Sequence, residues 1–133
     1  MREQKFGIEI EMTGLSRCAA AQVLAGHFHT QAVHVGGGYD TYTVRDEQNR
    51  QWKLVSDASI DCRTRSNRPA GDAYAVEFVS PICLYEDIET IQECIRKLRQ
   101  AGARVNPSCG LHIHIDAAVH TPQTLHNLSL IHI

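Results

Sequence analysis

The stretch CGLHIHID, Cys109–Asp116, alternates apolar and polar residues with a period of two. On an extended strand Leu111, Ile113 and Ile115 point to one face, and His112, His114 and Asp116 point to the other. The apolar row predicts a side that belongs to a core. The polar row, two imidazoles and a carboxylate, predicts a site on the opposite side.

The same alternation recurs upstream. In KFGIEIEM, Lys5–Met12, Phe6, Ile8, Ile10 and Met12 oppose Gly7, Glu9 and Glu11, the pattern of a half-buried strand. In AYAVEFVS, Ala73–Ser80, Val76 and Phe78 oppose Ala75, Glu77 and Val79, and Pro81 stops the run. The runs YTVRD and QWKLVSD, separated by a short polar segment, predict a β-hairpin. Further strands are expected near Gln31–Val35, ending at Gly36-Gly37-Gly38, and at Ala103–Asn106. Asp61–Asp72, rich in Asp, Arg, Asn, Pro and Gly without periodicity, reads as an exposed loop.

Helix signals lie between the strands. Ser16 is placed to cap a helix over Arg17–Phe28, with Cys18, Ala21, Val23, Leu24 and Phe28 inward. From Tyr85 to Gln100 the spacing of Ile88, Ile91, Ile95 and Leu98 is helical, acids crowd the first turns and bases the last, and Gly102 occupies the C′ position. Thr121-Pro122 would start a third helix. Hairpin and meander strands with interspersed helices predict an α+β fold: a mainly antiparallel β-sheet with its helices on one face.

Composition narrows the partners. The chain has 133 residues and a formal net charge of -2, enough for one domain with a real core and without the basic footprint that nucleic acid requires. No polybasic run or long apolar segment suggests a membrane. The five cysteines form no CxxC pair, and the start lacks an apolar leader core, so a reduced, cytoplasmic protein is expected.

Three strands thus each offer metal-type ligands on one face: Glu9 and Glu11, then Glu77, then His112 and His114. Carboxylates so close would repel and rise in pKa unless a cation sat among them. Oxygen donors with a minority of imidazole fit Mg²⁺ or Mn²⁺ better than thiolate-bound zinc, and Cys109-x-x-His112 alone is weak zinc evidence.

Together FGIEIEM, WKLVSDASI, VEFVSPI before a long helix and CGLHIHID after it resemble the amidoligase family, whose catalytic core is similar to those of glutamine synthetases and glutamate–cysteine ligases. The resemblance implies an ATP-dependent carboxylate–amine ligase: ATP phosphorylates a carboxylate, and an amine attacks the acyl phosphate. It implies catalytic and metal-binding roles for Glu9, Glu11 and Glu77, which would hold Mg²⁺ against ATP phosphates. His112 or His114 would complete the metal site or touch the nucleotide, with Lys53 also on the nucleotide side. Asp57, Ser59 and Ser80 would face the substrate, a small-molecule or peptide carboxylate with its amine. Residues 1–128 would then be the N-terminal part of a longer catalytic domain, and 129–133 a non-native or truncated tail.

Two other readings use the same residues. A cupin-like non-haem metal oxygenase would explain H-x-H plus Glu77 but leaves Glu9, Glu11 and the long helix unused. A non-catalytic sheet-face binding module would need only a solvated polar face. The glycine run lacks the Walker A form, so phosphate binding is not expected there.

Overall fold

The computed structural model describes residues 3–115. Six strands, β1 (Phe6–Met12), β2 (Ala32–Gly36), β3 (Thr41–Arg45), β4 (Gln51–Val55), β5 (Val76–Val79) and β6 (Leu111–Ile115), and two helices, α1 (Arg17–Phe28) and α2 (Ile88–Gln100), make an α+β fold. The sheet order is β2-β3-β4-β5-β1-β6, and every strand pair is antiparallel. Asp116, the expected helix at Thr121-Pro122 and the tail 129–133 lie outside the described residues.

The period-two rows sort the sheet as expected. Ile8 and Ile10 of β1, Val44 of β3, Trp52 and Leu54 of β4, and Val76 and Phe78 of β5 are all buried on one face. Helices α1 and α2 cover that face with Ala21, Leu24, Phe28, Ile91, Ile95 and Leu98. Trp52 is the centrepiece: its ring lies 5.4 Å from that of Phe28 and 5.6 Å from that of Phe78. Burial of these side chains, at roughly 2 kcal/mol each, is what holds the opposite face in place.

Helix ends follow the sequence closely. Ser16 Oγ accepts the Ala19 N–H at 3.0 Å, an N-cap bond, and His29 closes α1 with φ 58°. Tyr85–Asp87 forms a 3₁₀ turn that feeds α2. At the far end the N–H of Gly102 donates to Arg99 O and that of Ala103 to Leu98 O, at 3.1 and 3.0 Å, the paired bonds of a Schellman motif. Gly14 is required where this end crosses β1: it has φ 91°, and a Cβ there would stand 2.2 Å from the Gly102 carbonyl oxygen.

A buried polar network fixes the β3–β4 hairpin to α2. Asp46 accepts four bonds of 2.9 Å: from the backbone N–H groups of Gln48 and Arg50, from Arg50 Nε, and from Trp52 Nε1. Arg50 then forks onto Asp87 with two bonds of 3.0 Å. Burial opposes the Asp46 charge, but the Trp52, Arg50 and Gln48 donors outweigh it and hold the carboxyl below its ordinary value.

Two expectations need correction, and one is extended. Ala103–Asn106 is no strand: only Arg104 bridges to Thr13, because the chain leaves α2 through Gly102 at φ 124° and Pro107 follows. The Asp61–Asp72 segment is the exposed loop expected, and it is tied down at one point. Thr13 Oγ1 donates to Arg63 O and accepts Arg63 N–H at 3.0 and 2.9 Å, pinning the loop to the end of β1. The apolar row of β6 is only partly in the core, with Leu111 43 % exposed, because among the described residues β6 is an edge strand paired only to β1. Among the described residues no helix is long and apolar enough to cross a membrane.

Candidate metal centre

Register decides what meets on the open face. Glu11 lies opposite Glu77 in the β1–β5 pair, and Glu9 lies opposite His112 in the β1–β6 pair. Directly opposed side chains on one sheet face sit about 5 Å apart, so the rows of three strands converge. Asp57 joins them from the end of β4, where Val55 pairs with Glu77.

Two ligand triads result. Single donor atoms of Glu9, Glu77 and His112 lie within 4.8 Å of one another, and so do those of Glu11, Asp57 and Glu77. Glu77 is common to both. Each triad draws on separate segments of chain, so the grouping exists only in the folded sheet.

Electrostatics mark the cluster as short of positive charge. Burial pushes the Glu77 carboxyl up to about 7, helped by its hydrogen bond to Glu9 and by the charges of Glu9, Asp57 and Glu11. The Glu77 bond holds Glu9 below the ordinary range, as do His114 and His112. In the second pair, the hydrogen bond with Asp57 raises Glu11 and the same bond lowers Asp57. Four carboxylates thus settle into two proton-sharing pairs, the behaviour of like charges at close range.

Neighbouring groups hold the ligands. Glu11 is buried, and its Oε1 accepts the Gly110 N–H at 2.6 Å. A Cβ on Gly110 would come within 3.1 Å of that oxygen, so the lack of a side chain permits the clasp. Asp57 Oδ1 accepts the Ser59 N–H and hydroxyl at 2.9 and 2.7 Å. His114 stands opposite Gly7 and reaches diagonally to hydrogen-bond Glu9.

The expected residues therefore divide. Glu9, Glu11, Glu77 and His112 converge on the face, and Asp57, expected at the substrate, stands among the donors. Of the two histidines expected at the metal or the nucleotide, His114 hydrogen-bonds Glu9, and His112, which register sets across from Glu9, stands with Glu9 and Glu77 in a candidate donor group. Ser59 supports Asp57. Lys53 is exposed on the same face, paired across from Val79. Ser80 is buried, and its hydroxyl is engaged by the Ile8 N–H at 2.9 Å and the Pro81 carbonyl at 2.8 Å; it clasps β1 to the end of β5. Each triad contains at most one imidazole, whereas the facial site of a non-haem iron oxygenase uses two. The alternation that located the other candidate donors could not locate Asp57, which lies beyond the strand at a turn.

A cleft of about 370 Å³ adjoins the cluster, lined by Lys5, Phe6, Gly7, Ile82, His114 and Ile115. A Cβ on Gly7 would meet nothing within 4 Å. The glycine leaves open space beside the metal-type donors.

A family model described as "Putative amidoligase enzyme" matches residues 2–133. No curated protein and no solved structure matches the chain.

Proposed function

The chain belongs to the amidoligase family, and from that premise we propose that it contributes to an ATP-dependent carboxylate–amine ligase whose divalent cations are held on the open sheet face. The observation that carries the reading is the pair of triads, Glu9/Glu77/His112 and Glu11/Asp57/Glu77, sharing Glu77. Their donor set of carboxylate oxygens with one imidazole suits Mg²⁺ or Mn²⁺. The raised Glu77 carboxyl fits as well: without a cation the cluster keeps a proton to limit its own repulsion. Bound cations would neutralise charge on the β- and γ-phosphates of ATP.

The reaction proposed is transfer of the γ-phosphoryl group to a substrate carboxylate, releasing ADP, followed by attack of an amine on the acyl phosphate and loss of phosphate. The chain's own residues supply holding and orientation. Gly110 and Ser59 fix Glu11 and Asp57, His114 fixes Glu9, and Lys53 is available to the nucleotide phosphates. The cleft over Gly7, with Phe6, Ile82 and Ile115, is where a nucleotide ring would lie. Substrates are small-molecule or peptide carboxylates and amines.

The test is a Mn²⁺ titration followed by loss of the free-ion electron paramagnetic signal. The parent is expected to bind, and Glu77→Gln to lose most of the affinity at both triads. Binding unchanged in Glu77→Gln would refute the shared site. Metal-dependent ADP release that requires both a carboxylate and an amine substrate tests the reaction itself.

A further inference from the structure

Away from the carboxylate cluster, at the C-terminal end of α2, two clefts meet. One, of about 350 Å³, is lined by Thr13, Thr64, Asn67 and Asn106 together with Arg63, Arg65 and Arg104. The other, of about 400 Å³, is lined by Arg65, Arg96, Arg99, Gln100 and Arg104. Arg65 and Arg104 are common to both. Five of the chain's 13 Lys and Arg residues therefore line two clefts to which, among the described residues, no carboxylate contributes, in a protein of net charge -2.

Two less exposed arginines elsewhere have acidic partners, and within the lining Arg63 pairs with Asp61 at 3.2 Å. Arg17 pairs with Asp40 at 2.8 Å, and Arg50 pairs with Asp46 and Asp87 at 2.9 and 3.0 Å. By contrast the side chains of Arg65, Arg96 and Arg99 make no hydrogen bond or ion pair among the described residues. Arg104 is fixed in place by Nη1 bonds of 3.0 and 2.7 Å to the carbonyls of Arg99 and Ala103. Arg65 lies over Gly102, whose missing Cβ would be 3.5 Å from Arg65 Cδ. The helix C-terminus offsets part of the mutual repulsion, yet it does not use the guanidinium donors that face the clefts.

We propose that these joined clefts, formed by Arg65, Arg96, Arg99 and Arg104, bind a phosphate-rich anion at a site separate from the carboxylate cluster. Donors arrive from three segments: the 63–67 loop, the last turns of α2, and residues 104–106. A tetrahedral phosphate accepts from several directions at once, whereas a planar carboxylate uses one or two forks. The lining offers Thr, Asn and Gln as further donors and no aromatic ring for a base to stack upon. The ligand is therefore recognised through its phosphates.

Calorimetric titration of the full chain with sodium tripolyphosphate, in chloride buffer without divalent cations, tests this. Omitting the cation leaves the carboxylate cluster repulsive to the probe. One saturable site is expected. Arg99→Ser and Arg65→Ser should each weaken it by about tenfold, while Lys97→Ser, which removes the same charge from an exposed position of α2 outside the clefts, should change it by less than about twofold. Hexaglutamate should not compete. Absence of saturable binding, equal weakening by Lys97→Ser, or displacement of tripolyphosphate by equimolar hexaglutamate would each overturn the proposal.

Discussion

Replacing Glu77 by Gln should stabilise the metal-free protein at alkaline pH while abolishing its response to divalent cations. In the parent, the carboxyl rises from an ordinary 4.5 to about 7 because it is buried beside Glu9, Asp57 and Glu11. The folded state therefore holds more protons than the unfolded chain between those values, and stability falls as pH climbs through the window. At about 1.4 kcal/mol per pH unit the limit is about 3.4 kcal/mol, and solvent screening on the open face reduces it to about 2 kcal/mol. Glu77→Gln keeps the shape and a hydrogen bond to Glu9 but cannot ionise, so this loss disappears. Urea unfolding of parent and variant at pH 5 and pH 8, with and without Mn²⁺, measures it. Parent stability should drop by about 1.5 kcal/mol more than that of the variant between the two pH values, and Mn²⁺ should restore it in the parent alone. Identical pH dependence in the two proteins would refute the electrostatic account of the cluster.

Three further outcomes are expected. Asp46→Ala strips four accepted bonds and strands the buried Trp52 N–H, so a loss of about 3 to 4 kcal/mol should appear in neutral denaturant melts; the depressed Asp46 pKa means the deficit is full above 3.8 and closes in stronger acid. Gly14→Ala meets both a positive φ and the Gly102 carbonyl, and should cost at least about 3 kcal/mol or prevent folding, read by circular dichroism and thermal melting. Gly7→Val places its Cβ where no atom lies within 4 Å on a strand, so the unfolding free energy should change by less than about 0.5 kcal/mol, while affinity for a fluorescent ATP analogue with Mg²⁺ should fall by about tenfold if the ring lies over Gly7.

Much of this was written in periodicity. FGIEIEM, AVEFVS and LHIHI each announce a strand with a polar row, because a pleated chain sends alternate side chains to opposite faces and only one face can be buried. Ser16 and Gly102 mark helix ends through chemistry that acts within a few residues. Where the signal is a single bridge, as at Arg104, or depends on a distant partner, as at Thr13 and the loop it pins, the local pattern carries no information.

The amino-acid sequence by itself determined that there would be a half-buried antiparallel sheet, helices on its apolar face, and carboxylates and histidines on the other. Only the tertiary structure decided which of them meet. Strand order and register set Glu11 against Glu77 and Glu9 against His112, turned His114 into a brace, brought Asp57 in from beyond its strand and fixed Ser80 to backbone. The physical reason is that alternation specifies a face to within one residue, whereas a ligand set also needs the neighbour across the sheet, and that neighbour is chosen by the whole chain packing around Trp52, Phe78 and the two helices.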